Sequence, residues 1–273
     1  MVRIARTVVL APVPRPWLVD ALGALTDLAE STTAEDGRLL LPDGRQVPEL
    51  RLAEGRHLRP GAVYESTEDA DAGKGEVGAR ENGADAGRRT DTVRITVEEW
   101  RRTRALRVAF SGSGSGSDGD VTGRAVLIGP DRPDRVELSG RAALTGVRSP
   151  LSRFDAEAEL RCGDWWRAAE QDGGARRPPL RARLTCGPAR ADLTAVPRPG
   201  HDHEDWEVTV TVRLRGRGPL RPLVSLGLGL ARSPLARAVA EAVDDAARDW
   251  NAGVPQLTVL GREELCRRFL SEP

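Results

Sequence analysis

Along most of its length this chain sets an apolar residue at every second position. Val93, Ile95 and Val97 do so, then Leu106, Val108 and Phe110, then Val136, Leu138, Ala142 and Leu144. Phe154, Ala156, Ala158, Leu160 and Cys162 follow, then Leu180, Ala182, Leu184 and Cys186, then Trp206, Val208, Val210, Val212 and Leu214. Arg, Glu, Asp and Thr fill the places between. A period of two with polar partners is the mark of a strand with one dry and one wet face. Repeated strands with short connections predict an antiparallel meander, and "IGPDRPDR", "RRPPL" and "AVPRPG" read as its connectors. "GDWWRAAEQDGG" (163–174) sits where a strand should end, its adjacent Trp165 and Trp166 placed one in the core and one on the surface.

Both ends of the chain break this period. Residues 4–11, "IARTVVLA", have the β-branched content of a strand. The following "PVPRPWLVDALGALTDLAE" repeats Trp17, Leu18, Ala21, Leu22, Leu25 and Leu28 at helical spacing, with Pro16 suited to the first turn. Next, "RLLLPDGRQV" (38–47) predicts a hairpin turned at Pro-Asp-Gly. Near the other terminus, "SPLARAVAEAVDDAARDWNAG" (233–253) predicts a long amphipathic helix. Ser233 would cap it, Pro234 would fill its first position, and Gly253 and Pro255 would end it. Its stripe is Leu235, Val239, Ala242, Val243, Ala246 and Trp250.

Two segments lack the apolar content to pack: 65–91, rich in Gly, Ala and charge, and the Gly-Ser run at 111–120. They are expected to be flexible insertions in a single domain over 1–254, with 255–273 as a C-terminal extension.

The 41 basic and 41 acidic residues cancel, which argues against a nucleic-acid partner. Lys74 is the only lysine, so the arginine richness reads as compositional bias. Cys162, Cys186 and Cys266 fit no metal-binding spacing and leave one thiol unpaired, as in a reducing compartment. The opening apolar run is short and broken by Pro12 and Pro14, unlike a secretory leader. The longest apolar stretch, "LVSLGLGLA" (223–231), is too short to span a membrane. A cytoplasmic protein is expected.

Chemistry-bearing motifs are few. In "HDHEDW" (201–206), His201 and His203 would face one side of an extended segment, but the flanking Pro197, Pro199 and Gly200 favour a solvated loop, so no metal is expected, with His57 only a remote extra ligand. "GLGLAR" (227–232) lacks the third glycine of a dinucleotide fingerprint, and no cofactor is expected. Arg101, Arg102, Arg104 and Arg107 around Trp100 read as the wet face of a sheet. No triad order, GxSxG, HExxH or phosphate-binding loop is present, which leaves any catalysis without an obvious nucleophile or base.

The order strand, helix ("VVLAPVPRPWLVDALGALTDL"), meander, final strand ("WEVTVTVRLRGRG") and closing helix resembles the START/Bet v 1-like superfamily, which includes polyketide-cyclase-like proteins. The Trp of "RPWLVDAL" is similar to the aromatic residue at the start of that family's first helix. The resemblance implies an α+β helix-grip: a curved antiparallel β-sheet gripping the long C-terminal α-helix. Between them it implies a cavity for a hydrophobic small molecule such as a lipid or polyketide. Trp17, Leu235, Val239, Val243 and Trp250 are the expected pocket-lining residues. A cyclase or dehydratase on the same scaffold, and an interaction module without a cavity, stay open as alternatives.

Overall fold

The computed structural model describes residues 1–68, 91–113, 119–144, 152–171, 177–201, 204–217, 227 and 231–271. The fold is α+β: one large, curved, unclosed antiparallel sheet of thirteen strands, with four helices among the described residues. The strands are β1 (Val2–Leu10), β2 (Thr33–Glu35), β3 (Arg38–Leu40), β4 (Gln46–Glu54), β5 (Val63–Glu68), β6 (Asp91–Arg101) and β7 (Ala105–Ser113). The remaining strands are β8 (Gly119–Ile128), β9 (Arg135–Leu144), β10 (Arg153–Arg161), β11 (Leu180–Cys186), β12 (Ala189–Pro199) and β13 (Trp206–Gly216). The helices are α1 (Arg15–Ser31), α2 (Cys162–Glu170), α3 (Arg232–Thr258) and α4 (Arg262–Ser271).

Strands β2 to β13 lie side by side in chain order, the expected meander, and β1 closes the row by pairing with β13. The register joins the alternating residues into continuous rows. Ile4 faces Val212, Val212 faces Leu193, Leu193 faces Ala182, Ala182 faces Ala158, and Ala158 faces Leu138. One whole face of the sheet is therefore apolar. The other carries cross-strand ion pairs such as Arg124–Glu98 at 2.6 Å and Arg141–Asp155 at 2.9 Å. Asp192 is its densest node, meeting Arg190 and Arg215 at 2.7 Å and Arg183 at 3.3 Å.

The apolar face is covered in two places. Near β12 and β13, Cys162, Trp166 and Ala169 of α2 pack with Ala195, Trp206 and Val208. Trp165 meets Trp206 edge to face, and Trp166 Nε1 donates to the carbonyl of Val13 at 3.0 Å. At the other end of the sheet, Leu39, Ala62, Tyr64 and Val97 form a second core. Between the two, Leu138 and Leu184 are nearly half exposed. Phe110 leans over Gly123, where any Cβ would collide with its ring.

The structure departs from the sequence reading at several elements. "GDWW" is not a strand end: the strand stops at Arg161 and Cys162 opens α2. "AVPRP" is not a connector but the end of β12. Pro197 and Pro199 lie beyond the last pair with β11, where a missing N–H breaks no ladder on that side. Helix α3 passes through Gly253 and Pro255 to Thr258, because half-buried Val254 and Leu257 on the added turn offset the bond that proline removes. Its N-cap is Ala231, and Ser233 makes no capping bond. The hairpin arms β5 and β6 reach to Glu68 and from Asp91, and β7 and β8 reach to Ser113 and from Gly119. The rest of both expected insertions, with Lys74, lies outside the described residues, as do His203 and most of 223–231.

Helix α3 packs along the edge strand β1 and points the same way. Arg6 Nε and Nη2 each bond Asp244 at 2.8 Å, and further along Asn251 reaches the backbone of Val9 and Ala11. The Asn251 amide receives the N–H of Ala11 and donates to the carbonyl of Val9, as a neighbouring strand would. That protects an edge which would otherwise pair with another chain. The opposite edge, β2, is only three residues long. No helix among the described residues is long and apolar enough to cross a membrane.

Candidate functional site

The β3–β7 end is shaped by irregular strand pairing. Register shifts interrupt β3–β4 at Arg38/Leu40, β4–β5 at Leu52/Glu54 and β6–β7 at Val97/Glu99. Such shifts bend a strand and sharpen its twist. Asp36 and Gly37, both at positive φ, close the β2–β3 hairpin. Over the concave side lie the last turns of α1 and the end of α4. They leave an open-sided cavity of about 220 Å³.

Leu25, Leu28 and Ala29 of α1 form its roof, Leu39, Val47 and Leu50 one wall, and Ile95, Val97 and Val108 the floor. Phe269 and Leu270 of α4 stand at its open rim. Apolar cavities of about 150 Å³ stay dry and take up benzene, so this one has room for a ligand somewhat larger.

Polar groups enter the wall at one place, where Thr32, His57 and Tyr64 meet. The Tyr64 hydroxyl accepts the N–H of Leu58 at 2.8 Å and lies 2.9 Å from His57 Nδ1. His57 Nε2 lies 2.8 Å from Thr32 Oγ1 and 3.1 Å from the carbonyl of Ala29. Thr32 Oγ1 donates to that same carbonyl at 2.8 Å. One proton arrangement satisfies every partner: Tyr64 donates to Nδ1, and a neutral His57 donates from Nε2. The three side chains are thereby spent on one another and show the cavity mainly carbon. Burial pushes the Tyr64 hydroxyl above its ordinary range, against the Leu58 N–H, so it stays protonated.

The same bonds fix the loop between β4 and β5. Leu58, which lines the cavity, holds a positive φ of 53°, a costly conformation for a branched side chain. The Tyr64 hydroxyl on its N–H holds it there. Gly61 N–H donates to Val97 O, and Val97 N–H to Ala62 O, both at 2.8 Å.

Beside the cavity runs a charged strap. Asp27 pairs with both Arg102 and Arg262, and Glu30 accepts from Trp100 Nε1 at 3.0 Å and meets Arg102 at 2.9 Å. Burial pushes the Glu30 carboxyl up, but the hydrogen bonds from Arg102 and Trp100 outweigh it and hold it below the usual range.

The expected pocket residues sit elsewhere. Trp17, Leu235, Val239 and Val243 are half-buried and Trp250 is exposed, and none of the five lines this cavity. Trp250 Nε1 donates to Ala11 O at 2.9 Å, a bond of the α3–β1 edge. His57, considered only as a remote metal ligand, is the histidine at the cavity. Among the described residues no three His, Cys, Asp or Glu side chains gather as a metal would need. Gly140, Ala156, Ala158 and Ala182 line a second concavity of about 470 Å³, an open groove in the middle of the same face. The charged face has one of about 590 Å³ in which Arg183 and Asp192 pair with each other.

Sequence reasoning missed the cavity because its residues come from α1, five strands, the loops between them and a short terminal helix, with no element contributing more than three. The signal that was present is the unusual loop "EGRHLRPGAVY" (54–64), where a lone histidine stands seven residues before the only tyrosine.

Comparison with protein-family models, with curated proteins and with solved structures returns no match to this chain.

Proposed function

We propose that this protein binds an apolar small molecule in the cavity between α1, α4 and strands β3–β7. One observation carries the reading: a cavity of about 220 Å³ whose wall is aliphatic and aromatic, and whose few polar groups bond one another. Ligand sites are typically concave, apolar and largely preformed. The order of elements supports a divergent kinship with the START/Bet v 1-like group, with the ligand shifted from the α3 side to the α1–α4 side.

A cyclase or dehydratase would draw on His57 and Tyr64 in the same cavity. Their mutual bond and the raised Tyr64 support a positioning role for the pair, and binding is the better-supported reading.

Naphthalene, an apolar probe of ten carbons, tests it by fluorescence titration. Saturable one-to-one binding is expected. Ala29→Leu, which extends the roof into the space, should weaken it by about tenfold, or ~1.4 kcal/mol. Binding unchanged in that variant, or absent from the wild type, defeats the reading.

A further inference from the structure

We propose that two copies of this chain associate through the uncovered middle of the apolar face, sheet against sheet. The proposal is independent of the cavity. Between the two covered ends the face meets water at large side chains: Leu138 is 49% exposed, Val121 45%, Leu184 44% and Val93 41%. Ala156, paired with Leu184 on one side and Gly140 on the other, is exposed as well. Single exposed apolar residues are ordinary, but a continuous patch marks an interaction surface. From Val93 on β6 to Leu184 on β11 is about 24 Å, five strand spacings, and the rows of Leu138 and Val121 lie about 14 Å apart. With its side chains the patch measures about 30 by 20 Å, roughly 600 Å² on each copy. Two such surfaces make about 1,200 Å², the lower end of what a specific complex needs.

The register of the strands argues for a second copy as the occupant. Across β9, β10 and β11 one row reads Leu138, Ala158, Ala182, and the next reads Gly140, Ala156, Leu184. The two leucines thus stand at opposite corners of a block otherwise made of alanine and glycine. A two-fold axis running along β10 lays β9 of one copy over β11 of the other. It sets Leu138 over Ala182, Leu184 over Gly140, and the two residues of β10 over themselves. The flanking strands continue the match, because Leu193 on β12 falls over Ala125 on β8. Every leucine of these rows meets an alanine or a glycine. The patch is its own complement, as an isologous interface requires. A small apolar ligand would need only the apolar surface, and not this pairing of large with small. Charge does not hold the copies apart, since these rows carry none and the formal net charge is zero.

Sedimentation equilibrium of the full chain tests this. Between about 1 and about 200 µM the average mass should rise from 29.5 kDa toward twice that value. Ala156→Glu sets two carboxylates against each other on the axis and should weaken association by at least about a hundredfold. Because Ala156 is exposed in the single copy, the variant's urea midpoint should match the wild type. Ala156→Arg should also be monomeric, and mixing the two variants should restore a dimer as opposite charges meet. Misfolding cannot produce that rescue. A dimer indifferent to Ala156→Glu overturns the proposal, since the contact then lies on another surface. So does a mixture that stays monomeric, which places residue 156 off the axis. A wild type that remains monomeric at the highest concentration overturns it outright. Maleimide labelling of Leu138→Cys then reads whether the face is bare or covered by its own chain, and either result leaves no interface between copies.

Discussion

The two covered ends of the apolar face are made of different materials. Near β12 and β13, α2 brings two adjacent tryptophans down onto Trp206, with Ala169 and Cys162 filling the gaps between rings. Near β3 to β7, the covering helices bring Leu25, Leu28, Ala29, Phe269 and Leu270, and a space remains. Both ends belong to one sheet and one meander, so the topology does not account for the difference. The first covering helix interrupts the meander and is tied to strands on both sides. The second end is covered by α1, which lies between β1 and β2, together with α4. The contrast lies in the covering side chains: indole rings fill the first end, while leucines, an alanine and an exposed phenylalanine leave space at the second.

The comparison breaks most easily at Trp166. Trp166→Ala removes one of the two buried indole rings of the tight end together with its bond to Val13 O, and should cost about 3–5 kcal/mol. Urea unfolding reads that loss, and a cost below about 1 kcal/mol would mean the tight end is loose. A matched pair of overpacking changes sharpens the contrast. Ala169→Leu in α2, where the residue is 4% exposed, should destabilise by about 1–3 kcal/mol. Ala29→Leu at the cavity should be neutral or stabilising, since its added carbons enter existing space. Equal costs would erase the distinction between the ends.

Tyr64 reports on the cavity end alone because the chain has no other tyrosine. Its tyrosinate absorbance should appear only above the ordinary range, roughly pH 10. A hydroxyl with a raised folded-state pKa contributes stability that is present below its unfolded value and lost as pH rises through the folded one. The cavity end should therefore loosen in alkali. An ordinary tyrosine titration would remove that expectation. The smallest effect belongs to the wet face. Burial pushes Asp192 up, but Arg190 and Arg183 hold its carboxyl below the usual range, so its stabilisation is present above that range and lost as pH falls through the folded value. Asp192→Asn should lower stability at neutral pH slightly and flatten the acid limb of the unfolding profile.

Much of this fold was written in the alternation, because each strand has one wet and one dry side and the register keeps those sides together. What stayed hidden follows from local ambiguity. Cys162 extends the two-residue pattern of Phe154 to Leu160, so nothing in the spacing marks the turn into α2. Pro197 and Pro199 look like breakers until β11 is seen to stop short of them. The long amphipathic stripe of α3 was legible, but not its partner: the helix seals the edge of β1 and lies clear of the cavity. The cavity itself was not legible, since space is a property of how elements meet and no single segment carries it.

The first strand of this protein is also the last to find its place. Val2 pairs with Leu214 and Leu10 with Trp206, so during synthesis β1 remains without its partner strand until nearly the whole meander has emerged. Such distant pairing slows folding. It also makes sealing by α3 the closing event of assembly, with Arg6 and Val9 waiting at the ribosome for Asp244 and Asn251 to arrive.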